Sequence, residues 1–209
     1  FFINIRFYFI KSFNYDGHMF AFKNKYFLII ENTKDIELSN LKSFKKFSII
    51  YRYKNKPQEL SKLLQFRRQC KIKKIEFYIA NNHKLMKTVK ADGLYISAHN
   101  KNLDFKRFKN SNIKLIGSAH NIKELNFKIL QGCNSVIYSR LFETSYEYKK
   151  GHLGVIKFNL LKISIKKDLT PLGGIRLSNL NKLNMVNCSS FAISSEAKKK
   201  PARIFSRLF

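Results

Sequence analysis

Eight short apolar runs, spaced by segments of helical periodicity, constrain this chain more than anything else in its sequence. They cover residues 26–30, 47–51, 75–79, 93–96, 113–116, 135–138, a weaker 169–172, and 191–193. Most are continuous rather than alternating, as expected of parallel strands covered on both faces. Their starts recur at roughly 20–30 residues, the length of a βα unit. Helix signals lie between them. Pro57 fits a first turn ahead of Leu60, Leu63, Leu64 and Cys70, which share one face. Asn121 and Glu124 form a capping-box-like start before Leu125, Ile129 and Leu130. Ser178 is placed to cap a helix carrying Leu180, Leu183 and Val186. Eight such units predict a single (β/α)8 TIM barrel with parallel strands; an open doubly wound sheet rarely uses eight in so short a chain.

Composition narrows the partners. The chain has 209 residues, enough for one domain with a substantial core. Its 44% hydrophobic content excludes intrinsic disorder despite a net charge of +28. No uncharged apolar stretch reaches the length of about 18 residues that a membrane helix needs, so no membrane partner is expected. Cys70, Cys133 and Cys188 lie far apart without a CxxC pair, and read as small core residues of a reducing compartment. The positive charge is mostly lysine, scattered along the chain beside abundant Asn, Ile, Phe and Tyr. All five are served by AT-rich codons, and no nucleic-acid reader motif accompanies them, so no specific nucleic acid is expected. Residues 1–22 start without Met and fit a secretory signal poorly. They are set aside as an N-terminal extension, with Met19 a candidate start and the domain spanning 23–209. The expected location is cytoplasmic; oligomeric state is left open.

In a parallel barrel, chemistry collects where strands end and βα loops begin. Gly173 and Gly174 follow the seventh run, and Ser194 and Ser195 follow the eighth. Glycines there bring backbone amides close to a phosphate, and a serine pair at a helix start adds hydroxyls and the dipole. The alternative is a plain glycine turn and an ordinary cap. Arg52 and Lys54, at spacing two after the second run, can leave one strand face together toward an anion, or belong to a solvated loop. Asn81, Asn82, Asn100, Ser118 and His120 complete a polar ring at strand ends. The loop at 139–154, with Thr144 and Lys150, is long and cationic and reads as a flap or a surface excursion.

These residues, in this order, resemble the thiamine phosphate synthase and thiazole tautomerase superfamily. The resemblance runs from about Lys25 to the C-terminus and is most specific after residue 80. Residues 91–96 (ADGLYI) resemble that family's ADGVHLG strand, and residues 116–121 (IGSAHN) its GVSAH segment. Phe142, Glu143 and Thr144 with Lys149 and Lys150 are similar to its FET…KK loop; residues 172–175 (LGGI) and Ser194–Ser195 are similar to AIGGI and VVSAI. The resemblance implies a barrel that couples hydroxymethylpyrimidine diphosphate to hydroxyethylthiazole phosphate. It implies that Gly173, Gly174, Ser194 and Ser195 hold the thiazole phosphate, and that Arg52, Lys54 and Asn81 face the pyrimidine diphosphate. Ser118, Thr144 and Lys150 then support the leaving diphosphate.

The departures bear on mechanism. The family's Mg²⁺ is held by two aspartates, and those positions are read here as Asn82 and Asn100. Losing two formal charges weakens a site for a hard cation, so no cofactor is assigned and Mg²⁺ lacks its usual carboxylates. The family glutamine of VQLREK is Ile50, and Pro171 precedes the phosphate glycines. Three readings stay open: a synthase whose lysines and arginines neutralise diphosphate, a metal-free tautomerase using His120 as acid/base, or a non-catalytic barrel that binds a phosphorylated metabolite.

Overall fold

Parity decides how the strands are used. In the computed structural model, which describes residues 25–41, 44–144 and 151–194, eight strands close a barrel in chain order, each parallel to its neighbours. They are β1 (Lys25–Ile30), β2 (Phe47–Tyr51), β3 (Glu76–Ala80), β4 (Gly93–Ile96), β5 (Lys114–Ala119), β6 (Ser135–Ser139), β7 (Asp168–Leu172) and β8 (Ser190–Ile193). The expected TIM barrel is the observed fold. The apolar runs were the strands because both strand faces are covered: one by the barrel lumen, the other by the surrounding helices.

Two apolar clusters follow from that parity. The lumen holds Phe27, Ile29, Ile50, Tyr78, Tyr95, Ile116, Ile137 and Ala192. The outer layer packs Leu28, Ile49, Phe77, Leu94, Leu115 and Val136 against Leu63, Phe66, Met86, Leu125 and Phe158 from the helices. Side chains two residues from a lumen residue share its face. Toward the strand starts this gives a polar base of Lys25, Ser48, Glu76, Lys114, Thr170 and Ser190. Toward the strand ends it gives a polar mouth of Arg52, Ser118, Ser139 and Ser194.

The outer layer departs from a regular helix after every strand. The helices are α1 (Leu60–Ile72), α2 (His83–Val89), α3 (Ile122–Leu130) and α4 (Gly154–Ser164). After β4 and β7 the chain forms 3-10 segments instead, Leu103–Phe108 and Leu177–Met185. Helix α1 buries Leu63, Phe66 and Cys70, while Leu60 and Leu64 are exposed. Pro57 stays outside it, because Glu59 takes the N-cap position. The Asn121 cap is observed: its side chain accepts from the Glu124 amide, and the Glu124 carboxylate accepts from the His120 amide. Ser178 caps nothing; it lies inside an exposed stretch of the 3-10 segment, whose start is tied by Asn179 accepting from the Arg176 amide. Leu180, Leu183 and Val186 are buried as expected. Cys70 and Cys133 are buried free thiols pushed up to about 12 by burial, whereas Cys188 is only partly buried.

Candidate functional site

The strand ends bring three groups of polar side chains together, and the first stands on the lumen floor. Tyr95, buried in the lumen, meets Ser118 and Arg52 at its hydroxyl; burial pushes that hydroxyl up, and the two partners pull it back. Arg52 is an exposed residue directly after β2, and its amide still donates to the Ile30 carbonyl (2.8 Å). Lys54 does not share its direction. Strand pairing stops at Tyr51, so the period of two lapses, and Lys54 lies 76% exposed at the rim against Glu31 (3.3 Å).

The second group is an asparagine lattice. Asn81 follows β3 in a left-handed conformation (φ 57°), which turns its side chain toward the loop after β4. Its Oδ1 accepts from the Ser97 amide (3.0 Å), the Ser97 hydroxyl (3.2 Å) and Asn100 Nδ2 (3.1 Å). Asn82 points elsewhere: its Oδ1 caps α2 by accepting from the Leu85 amide (2.9 Å), and its Nδ2 donates to the Tyr53 hydroxyl (3.1 Å). Asn100 therefore bonds Asn81 rather than Asn82.

This lattice is a poor fit for Mg²⁺. The metal requires near-octahedral oxygen donors, usually including carboxylates. Here both side chains are neutral amides, and the Asn81 oxygen already accepts three hydrogen bonds. Among the described residues, no group of three His, Cys, Asp or Glu side chains converges as a metal site.

A third group surrounds His120. Its Nδ1 lies 2.6 Å from the hydroxyl of Ser139, a buried residue at the end of β6, and its ring is 6.2 Å from that of His99. The exposed ring edge and buried anchor suit proton transfer at the mouth. Beneath these groups, fully buried Lys128 on α3 donates to the Asn100 carbonyl; burial brings its ammonium down to about 8.

The turn after β7 faces the same opening. Gly173 and Gly174 have φ of 99° and 66°, a region open to glycine. The Leu172 and Gly173 carbonyls accept from the Leu141 and Phe142 amides in the loop after β6 (2.9 and 3.0 Å). A trans peptide sends its N–H opposite to its C=O, so the Gly173 and Gly174 amides point away from that loop. The β7–β8 register ends with Leu172 level with Ala192. Behind the turn, a Cβ on Gly174 would lie 2.3 Å from the Glu143 carbonyl oxygen. Thr144 accepts from Arg140 Nη1 (3.0 Å). Lys150 and Ser195 lie outside the described residues, as do the centre of the expected flap and the N-terminal extension.

A family model described as thiamine monophosphate synthase (TMP-TENI) matches residues 38–197. The chain belongs to that family. A thiamine-phosphate synthase of Pelagibacter ubique is 26% identical over 181 residues, 82% of this chain and 87% of the relative. One from Prochlorococcus marinus is 27% identical over 150 residues, 69% of this chain. The chain spans 43% of the length of the Prochlorococcus relatives it matches. A solved thiamine phosphate pyrophosphorylase from Pyrococcus furiosus shares the fold, with a TM-score of 0.70 at 16% identity, covering 90% of this chain and 95% of that one.

At the other end of the barrel from these strand ends, a cavity of about 490 Å³ opens at the base between Lys25, Lys114, Asp168 and Ser190. No described helix is long and apolar enough to cross a membrane. Sequence reasoning missed Tyr95, His99, Ser139 and Lys128. The alternation of β6, with Ser139 two residues after Ile137, was the available signal for one of them. A buried lysine on a helix whose one other lysine, Lys123, is exposed gave no signal.

Proposed function

We propose that this chain couples hydroxymethylpyrimidine diphosphate to hydroxyethylthiazole phosphate, releasing diphosphate, without a resident Mg²⁺. The observation that carries the reading is the glycine turn after β7, where the Gly173 carbonyl is bound to the loop after β6 and the Gly174 amide is turned away from it. Amides so disposed suit the thiazole phosphate. The thiazole nitrogen then forms its bond to the pyrimidine methylene carbon as the carbon–oxygen bond to diphosphate breaks. The bonding pair leaves with diphosphate, and positive charge develops on the pyrimidine. The residues' work is to position both partners and to neutralise the leaving group. Arg52 on the floor and Arg140 beside Thr144 are the described cations suited to that task, with Lys150 a further candidate by resemblance. Asn81 and Asn100 act as neutral hydrogen-bonding groups at the mouth.

A second reading rests on a separate observation, the 2.6 Å contact of His120 Nδ1 with Ser139 Oγ. A histidine oriented through Nδ1 at a strand end suits proton movement on a thiazole phosphate, as an isomerase requires. Steady-state assays separate the readings. Coupling of both substrates that survives EDTA supports the first. Isomerisation of thiazole carboxylate phosphate, lost in His120→Ala, supports the second. Phosphate-ligand binding without either turnover leaves a non-catalytic barrel, and absence of all three overturns the phosphate reading itself.

A further inference from the structure

We propose that Lys128 and Gln131 form a positioning clamp that fixes the main chain at Asn100, and through it the Asn81–Asn100 lattice of the mouth. Lys128 is 0% exposed, and its Nζ donates to the Asn100 carbonyl (2.6 Å) and to Gln131 Oε1 (2.8 Å). Gln131, also 0% exposed, turns its amide outward: Nε2 donates to the carbonyls of Asn100 (3.1 Å) and Asn102 (2.7 Å). Two donors thus converge on one carbonyl, and the amide binds the next carbonyl but one. The clamped segment joins β4 to the 3-10 segment at Leu103 and has no strand ladder to hold it.

Space for the clamp is built into β5. A Cβ at Gly117 would lie 2.8 Å from Lys128 Cβ and 2.9 Å from its Cγ, so the lysine stem runs directly over a strand position that only glycine leaves open. Burying an ammonium is costly, and a leucine or methionine would fill the same space without that cost. No carboxylate among the described residues forms a salt bridge with it, so pairing is not its role. What a hydrocarbon lacks is the reach to Asn100. The consequence at the mouth is direct: Asn100 Nδ2 donates to Asn81 Oδ1, whose other bonds hold the Ser97 amide and hydroxyl. Helix α3 and the residue that follows it therefore set the geometry of the loop that carries Asn100.

Two amides report the clamp without any assay of turnover. The Ser97 amide is held by Asn81 and the Asn102 amide by Asn100 Oδ1 (2.9 Å). In Lys128→Met, hydrogen exchange at Ser97 and Asn102 should rise about 10-fold while exchange in β2 and β6 stays native. Inorganic diphosphate should bind roughly 5-fold to 10-fold more weakly, and Lys128→Arg should recover part of both effects. Gln131→Leu, which keeps the lysine, should release the Asn102 amide more than the Ser97 amide; it serves as the test if Lys128→Met fails to fold. Native exchange at both amides in a folded Lys128→Met or Gln131→Leu protein would overturn the clamp, as would acceleration spread evenly over the barrel. The diphosphate arm rests on the proposed function: a wild-type chain that binds no diphosphate refutes that function, while the exchange arm still decides the clamp.

Discussion

The two ends of the barrel lumen solve opposite problems with the same alternation. At the base, one carboxylate is surrounded by donors: Glu76 accepts from Lys25, Lys114, Tyr78 (2.8 Å) and Ser48 (3.2 Å). Burial alone would push its carboxyl up, but the hydrogen bonds from Lys114, Lys25 and Tyr78 outweigh it and hold the group at about 2. Thr170 and Ser190 close that end with a buried hydroxyl pair at 2.7 Å. At the mouth the described groups near the lattice are amides, hydroxyls and imidazoles, and no carboxylate joins it. The carboxylate of the base is fully occupied by donors from its own lumen face. The mouth carries neutral groups and the arginines Arg52 and Arg140 instead. Under the proposed function the base serves stability and the mouth holds an anion, the usual division of such barrels.

The largest effect expected from breaking this division is at the mouth turn. Gly174→Ala adds a Cβ 2.3 Å from a backbone oxygen at a φ of 66°, so the loop after β6 must move. Left-handed strain alone costs about 1–2 kcal/mol, and the displaced loop should bring the loss to roughly 3 kcal/mol. Phosphate affinity by calorimetry should fall at least ~30-fold. Retained affinity would separate the glycine turn from the ligand site.

Glu76→Gln tests the other end and should cost about 2 kcal/mol in urea unfolding at pH 7. A carboxyl whose folded value is depressed stabilises fully above its unfolded value near ~4.3, and that stability is lost as pH falls toward the folded value of about 2. The variant's acid limb should therefore be flatter than the wild type's between these values. Turnover per folded molecule should stay within about 2-fold, since Glu76 lies a lumen's length from the mouth. A larger change would show that the two ends are coupled.

Smaller still is Ser139→Ala, which removes the partner of His120 Nδ1. Losing one hydrogen bond should cost about 1 kcal/mol of stability or less. Whichever turnover the chain shows should drop about 10-fold under the isomerase reading, and by less than about 2-fold if His120 takes no part in proton transfer.

How much of this was legible in the sequence follows from the same alternation. Short apolar runs marked all eight strands, most of them continuous because the strands are covered on both faces, with β7 the weakest signal. The capped start at Asn121 was legible because a cap is a local bond. Which of its two open readings Lys54 takes was not legible, because a period of two cannot be carried beyond the strand that enforces it. Asn81 and Asn82 were both singled out, but which of them bonds Asn100 was not legible, because adjacent asparagines look alike until a left-handed turn points one at the neighbouring loop. Lys128 and Gln131 were invisible: their partners are main-chain carbonyls about thirty residues away in sequence, which carry no residue signature.

Lys54 sharpens the comparison through the smallest effect. It stands 76% exposed at the rim, paired with a Glu31 that is itself 40% exposed. An ion pair so open to solvent contributes at most about 0.5 kcal/mol, and a screened charge outside the lumen adds little to anion binding. Lys54→Met should leave unfolding unchanged and alter the KM for a diphosphate substrate by less than about 3-fold, the difference vanishing at high salt. Arg52→Met, removing a guanidinium that reaches the Tyr95 hydroxyl on the lumen floor, should raise that KM by far more. Equal effects from the two substitutions would mean that the mouth attracts anions by its overall positive charge, and that the inward placement of Arg52 confers no selectivity.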